Sequence, residues 1–198
     1  MAQRIDILNT LLRSKQSVFT LKEVNLLVGG EISSELLRRR ISYLVKKGEL
    51  HPLRRGIYAK DKKYERLELA NRIYTPSYIS FETVLGRAGV TFQSYGQIFI
   101  ASYLTRELKI DDQIYSYRKI KDDILTRIQL PTGIEHNGIY SIATPERAFL
   151  DVVYLSKDYH FDNLSALNWE KVFEILPIFG NVEMEKRVKA YYEQFKNN

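Results

Sequence analysis

Ser33-Ser34-Glu35-Leu36-Leu37-Arg38-Arg39-Arg40-Ile41-Ser42-Tyr43-Leu44-Val45-Lys46-Lys47-Gly48, continued by Glu49-Leu50-His51-Pro52-Leu53-Arg54-Arg55-Gly56-Ile57-Tyr58-Ala59-Lys60, is the stretch on which the fold of this chain turns. Its first half has a serine start signal, an apolar helical period and a glycine stop. Leu36, Leu37, Ile41, Leu44 and Val45 share one face. At about 100° per residue, Arg38, Arg39, Ser42, Tyr43 and Lys46 fall on the opposite face, with Glu35 among them. Arg40 and Lys47 lie nearer the apolar edge, which makes them packing or flanking residues. The second half reads as a hairpin, Leu50 to Leu53 against Ile57 to Ala59, with Arg54-Arg55-Gly56 as its turn. Gly56 supplies the positive φ that tight turns need. Arginines at such a tip reach a phosphate backbone or a minor groove. A solvated basic helix and an ordinary hairpin would look similar. The order helix, glycine, basic hairpin favours a DNA-recognition helix followed by a β-wing.

The charge distribution agrees. Residues 1–60 carry 12 Lys and Arg against 5 Asp and Glu, a balance of +7, while residues 61–198 carry 18 against 19, a balance of −1. One end suits a polyanion and the other does not. A membrane surface also attracts basic segments, but no basic helix here has the exposed bulky apolar face that interfacial binding requires. The chain has no cysteine, so disulfide and thiolate chemistry are excluded. Its first residues lack the apolar core of a signal peptide, and no apolar run approaches a membrane span. The expected location is the cytoplasm.

Upstream of the helix, Gln3 to Arg13 predicts a first helix with Ile5, Leu8 and Leu12 on one face. Thr20 caps a second helix to about Val28, with Val24, Leu27 and Val28 facing the core and Gly29-Gly30 ending it. Helix, short helix, glycine turn, helix and hairpin is winged helix-turn-helix order. Downstream, Asp61-Lys62-Lys63 is a polar hinge before a helical pattern from Tyr64 to Ile73. Pro76 breaks that pattern. A helix over Phe81 to Ala88, with Ser80 as a candidate cap, ends at Gly89. Strands are expected at Ile98–Ser102, Thr105–Ile110, Gln113–Lys119, Ile124–Leu130 and Gly138–Ile142. Thr144, Pro145 and Glu146 then start a helix to about Leu155 that is apolar nearly all round. Further helices follow from Asn168 to about Pro177 and from Val182 to Phe195. The expected fold is α+β: a winged helix-turn-helix over 1–60, a linker helix over 61–75, and a mixed α/β domain with a small sheet and packed helices over 76–198.

Catalytic and metal motifs are missing. His51, His136 and His160 lack ligand spacing, and without cysteine a zinc site is not expected. There is no P-loop, nucleophile elbow or G-x-G-x-x-G. Asp111-Asp112 and Asp122-Asp123 read as turn residues. Asp151 lies inside Ala148-Phe149-Leu150-Asp151-Val152-Val153-Tyr154, where a carboxylate needs a partner. A structural ion pair or backbone contact is the expected role. No catalytic residue, metal or cofactor is assigned.

Three segments resemble the AbiEi antitoxins of the AbiE, or type IV, toxin–antitoxin systems of bacteria. Leu53-Arg54-Arg55-Gly56-Ile57-Tyr58 resembles the wing of that family. Tyr78-Ile79-Ser80-Phe81-Glu82-Thr83-Val84-Leu85 resembles the start of its C-terminal domain. Ala143-Thr144-Pro145-Glu146-Arg147-Ala148-Phe149-Leu150-Asp151 resembles the capped helix after its sheet. The likeness spans about residues 5–155 in the family's order. Many of those proteins have a His before the glycine ending the helix after Tyr78. Here that position is Ala88, before Gly89, so no role of that His carries over. The resemblance implies a repressor of its own operon acting at inverted repeats in double-stranded operator DNA. It also implies a C-terminal domain that counters a nucleotidyltransferase-like toxin encoded alongside. The residues read as DNA-binding are Arg38, Arg39, Ser42, Tyr43, Lys46, Arg54 and Arg55. The rival readings are a ligand-sensing winged-helix regulator, marked by a sizeable polar pocket within residues 76–160, and a DNA-processing enzyme, marked by Asp111, Asp122 and Asp151 clustering with cations.

Overall fold

The computed structural model describes residues 6–30, 32–93, 95–127 and 132–197. The chain divides into two compact units, Met1–Ile73 and Tyr74–Asn198.

In the first unit, helix α1 (Ile7–Arg13) is capped by Asp6, whose carboxylate accepts from the Asn9 amide at 3.1 Å. Strand β1 (Val18–Thr20) ends in Thr20, which also caps α2 (Leu21–Leu27). The cap is reciprocal: the Thr20 hydroxyl accepts from Glu23 N at 3.2 Å and the Glu23 carboxylate accepts from Thr20 N at 2.8 Å. Helix α3 (Ser34–Lys46) has Ser33 as its cap, and Gly48 just beyond its end adopts φ +74°. Strands β2 (His51–Arg54) and β3 (Ile57–Ala59) form the wing, and β3 lies between β1 and β2 in a three-stranded sheet. The register shifts between Pro52 and Arg54, so Leu53 is the extra residue of a bulge. Arg54 therefore ends β2, and the turn is Arg55-Gly56, with Gly56 at φ +79°.

The first core gathers Ile7, Leu11, Phe19, Val24, Val28, Leu37, Ile41 and Leu50. It differs from expectation at its edges. Helix α1 buries Ile7 and Leu11, not Leu8 and Leu12, and Leu12 is half exposed. Ile5, on the same expected face, lies outside the described residues. Leu27 and Leu36 are also exposed. Leu36 stands one residue before the buried Leu37, so about 100° of helix rotation carries it out toward Arg40 and Lys47.

Helix α4 (Arg66–Ile73) falls within the first unit. Its Glu68 is buried and accepts from the Ser17 amide at 2.9 Å. Arg72 reaches Glu68 at 3.2 Å and Glu23 at 3.3 Å. These polar ties fix α4 beside β1.

The second unit is built on a six-stranded sheet of order β6-β7-β5-β4-β9-β8. The strands are β4 (Ser77–Ile79), β5 (Gln97–Ser102), β6 (Arg106–Ile110), β7 (Gln113–Lys119), β8 (Ile134–His136) and β9 (Ser141–Ala143). Pairs β5–β7 and β4–β9 are parallel and the rest antiparallel. Helices α5 (Glu82–Arg87), α6 (Asp122–Leu125), α7 (Pro145–Leu155), α8 (Trp169–Ile175) and α9 (Val182–Lys196) complete it. The expected strand from Ile124 fails where it can be seen, since Ile124 and Leu125 belong to α6. Its end at Leu130 lies outside the described residues. Ser80 does not cap α5; Phe81 holds that position at φ +54°, and the Ser80 hydroxyl turns to Asp151.

Helix α7 starts as expected, with Thr144 accepting from the Arg147 amide. Arg147 and Asp151, one helical turn apart, are both fully buried. Arg147 Nε donates to Asp151 Oδ1 at 3.0 Å, and its other nitrogens donate to the Thr132 carbonyl at 2.9 Å, the Ile124 carbonyl at 3.2 Å and the Tyr78 hydroxyl at 2.7 Å. Gly133 makes room for this cluster. It adopts φ +66°, and an added Cβ would lie 2.7 Å from both Arg147 Cβ and Ile175 Cδ1. Gly133→Ala therefore costs roughly 1–3 kcal/mol by overpacking alone. The expected readout is a lower urea midpoint with an unchanged m-value; an unshifted midpoint would refute it.

Candidate nucleic-acid interface

The outer face of α3 is set by its inner one. Leu37 and Ile41 are sunk in the core, with Leu44 and Val45 half-buried beside them. That fixes the helix rotation and turns Arg38, Arg39, Ser42, Tyr43 and Lys46 to solvent. These five side chains, with Glu35, line one shallow depression of about 390 Å³. A second depression of about 620 Å³, on the α1 side, is lined by Asp6, Ile7, Leu8, Arg39, Arg40, Tyr43 and Leu44. Arg39 and Tyr43 border both and form the ridge between them. A helix of 13 residues is about 20 Å long and, with side chains, about as wide as a B-DNA major groove.

Glu35 and Arg39 pair at 2.6 Å, but both side chains are more than three-quarters exposed. Such a pair contributes little in water, so the guanidinium is readily handed to a phosphate or a guanine edge. Lys47 stands 4.8 Å from the centre of the Tyr43 ring. The Tyr43 hydroxyl, accepting from its ammonium, holds that ammonium above the ordinary lysine range. Arg40 and Lys47, assigned by sequence to the apolar edge, are both exposed. They join the basic face on its α1 flank, beside the exposed Leu36. Their signal was available in the phase of Leu37 and Ile41, once Leu36 is left out of the buried set.

The wing supplies Arg54 and Arg55, both exposed. Its tip is held in place, since the Gly56 carbonyl accepts from the Leu21 amide at 3.0 Å, at the start of α2. Lys60, also basic, is spent on structure: its ammonium donates to the Ser14 and Leu12 carbonyls at the end of α1. All seven sequence-selected residues thus stand on the surface of the first unit, five in one depression and two on the hairpin.

The acidic residues do not form a comparable site. Asp111 and Asp122 are exposed, in the β6–β7 turn and the first turn of α6, whereas Asp151 is fully buried with Arg147. Among the described residues, no group of three or more His, Asp or Glu side chains is placed to hold a metal ion. No described helix is long and apolar enough to cross a membrane.

Residues 6–59 match the model of a family described as AbiEi antitoxin transcriptional regulators. No curated protein matches the chain. The resemblance is thereby borne out over the winged helix, from the Asp6 cap to the end of β3. The segments Tyr78–Leu85 and Ala143–Asp151 lie beyond the matched residues.

Proposed function

We propose that this chain, whose winged helix matches the AbiEi antitoxin regulators, is a cytoplasmic DNA-binding repressor and antitoxin. In this reading it represses its own operon at inverted repeats and counters a nucleotidyltransferase-like toxin encoded beside it. The observation that carries the DNA-binding half is the exposed face of α3, with Arg38, Arg39 and Lys46 beside Ser42 and Tyr43, rotated outward by the burial of Leu37 and Ile41. The antitoxin half rests on the family match. This reading assigns no catalysis; Asp111 and Asp122 are exposed, and Asp151 is taken up in the buried pair with Arg147. The ligand-sensing alternative is favoured by one observation, a cleft of about 480 Å³ in the second unit.

The test is a gel-shift titration of the chain on DNA taken from upstream of its own gene, repeated across salt concentrations. Phosphate contacts release counterions, so log K is expected to fall steeply against log salt, by about 0.9 for each phosphate neutralised. Arg55→Ala, at the wing turn, reduces that slope by roughly 1 and weakens binding to all sequences alike. A flat salt response, or binding no tighter than to unrelated DNA, counts against the reading.

A further inference from the structure

The sheet of the second unit ends on one side at β6, which pairs with β7 and has no described strand beyond it. The strand at the other end, β8, spans only Ile134–His136. A strand edge presents a row of backbone donors and acceptors. Which residues of β6 present them follows from the alternation along β7. The Lys119 amide donates to Thr105 Oγ1, on the β6 side, at 3.2 Å, and the next amide, Ile120, donates to the Ser102 carbonyl at the end of β5 at 2.8 Å. Gln113, Tyr115 and Tyr117 share the direction of Lys119. They therefore exchange bonds with Ile110, Leu108 and Arg106, which stand opposite them. Glu107 and Lys109 stand opposite Ser116 and Ile114, in the pairs that exchange none. Their N–H and C=O groups point away from β7, out of the sheet edge. Among the described residues, no backbone group from elsewhere bonds to them.

Glu107 and Lys109 are both exposed and project from the same face of the strand, while the half-buried Leu108 between them projects from the other. Charges on an edge ordinarily keep other strands away. Here their signs alternate, and that singles out one arrangement. Two copies of β6 can pair antiparallel about a twofold axis with their outward groups meeting. Centred on Glu107, the pairing sets two carboxylates face to face; centred on Lys109, it sets two ammonium groups face to face. Centred on Leu108, it sets Glu107 of each copy opposite Lys109 of the other. This register alone brings the outward groups of both residues together in both copies, and it replaces like-charge contacts by opposite-charge ones. Leu108 then faces Leu108 of the other copy in the close, non-hydrogen-bonded pair. Arg106 lies opposite Ile110, next to the acidic Asp111-Asp112 turn.

We propose that β6 is a contact between two copies of this chain, joined edge to edge in the register centred on Leu108, so that two six-stranded sheets become one continuous sheet. The contact is isologous, as a closed twofold dimer requires: Glu107 meets Lys109 and Lys109 meets Glu107. Main-chain bonds hold it, and the alternating charges set its register. A single short strand edge makes a small interface, so the dimer is weak and forms with rising concentration.

The experiment is sedimentation equilibrium of the full chain without DNA, from about 1 µM to about 1 mM, with melting curves as the control for folding. The wild-type chain is expected to pass from monomer to dimer across this range. Lys109→Glu sets like charges opposite each other at both pairs, and so does Glu107→Lys; each weakens the dimer at least about tenfold. Both side chains are exposed, so the melting temperature stays near that of the wild type. An equimolar mixture of the two variants re-forms a dimer, because every Glu of one then meets a Lys of the other. The doubly exchanged chain, Glu107→Lys with Lys109→Glu, re-forms it alone. A wild-type chain that stays monomeric throughout overturns the proposal and leaves the edge to a strand of another protein. A dimer that survives either single reversal overturns it by placing the contact elsewhere, and a mixture that stays monomeric overturns the register. None of these readouts involves DNA, so they stand apart from the repressor reading.

Discussion

Asp151→Ala destabilises the second unit by about 3–5 kcal/mol, the cost of breaking a buried ion pair by removing one partner. Asp151 and Arg147 are both at 0% exposure. Burial pushes the Asp151 carboxyl up, against the pull of the Arg147 guanidinium and of hydrogen bonds from Ser80 and Tyr78. Removing it strands a fully buried guanidinium that stays charged, because an arginine is not deprotonated in a protein. It also strands the Ser80 hydroxyl, which donates to Asp151 at 2.7 Å, and the Tyr78 hydroxyl, which donates at 3.2 Å. Burial, the largest cause of the raised Tyr78 pKa, persists without Asp151, so the phenol remains a donor without that acceptor.

The melting temperature is expected to fall by roughly 10 °C or more. Arg147→Met separately orphans the Thr132 and Ile124 carbonyls, so it is costly too. The double variant costs less than the sum of the single ones, with a coupling of about 0.5–3 kcal/mol. Melting curves of the three variants measure this. Wild-type stability in Asp151→Ala together with loss of one activity would place the residue in a functional site instead.

The same cluster shows where sequence reading reaches and where it stops. That Asp151 needs a partner follows from its apolar helix, and the partner is four residues away, at i,i+4 spacing. What does not follow is that Arg147 is fully buried, because an arginine in a helix that starts with Thr144-Pro145-Glu146 looks like surface. Its burial depends on carbonyls from Thr132 and Ile124 and on the space left by Gly133. Ser80 shows the same limit: as a cap it fits its local sequence, but a carboxylate 71 residues away takes its hydroxyl. Thr144, with no such competitor, caps as expected. Strand β1 was not legible at all. Val18–Thr20 is three residues long and exists as a strand because it pairs with Ile57–Ala59. On α3 the helix, its caps and its polar face were legible from periodicity. The depth of each apolar residue was not: Leu36 sits at an apolar position of the period yet is exposed, and Arg40 and Lys47 beside it are exposed as well.

Arg39→Ala combined with Arg54→Ala abolishes operator binding while leaving toxin neutralisation intact. The α3 ridge places Arg39 between the two depressions on that face, so its guanidinium is positioned to enter a groove. Arg54 ends β2 next to the wing turn, where it flanks the same groove. Loss of one base-reading side chain costs roughly 1–3 kcal/mol, and loss of a phosphate contact adds its counterion-release contribution. Neither side chain is in the core, and the pair Arg39 makes with Glu35 is solvent-exposed, so stability is expected to change by less than about 0.5 kcal/mol. Each half of this prediction has its own readout. Gel shifts on the upstream DNA measure the first, with melting curves confirming an intact fold. Growth rescue measures the second, with the variant and the neighbouring toxin expressed from unrelated promoters so that repression plays no part. Retained operator binding removes Arg39 and Arg54 from the interface. Loss of rescue together with loss of the shift, in a stably folded variant, means that neutralisation runs through the winged helix, and the division of labour between the basic first unit and the second unit then fails.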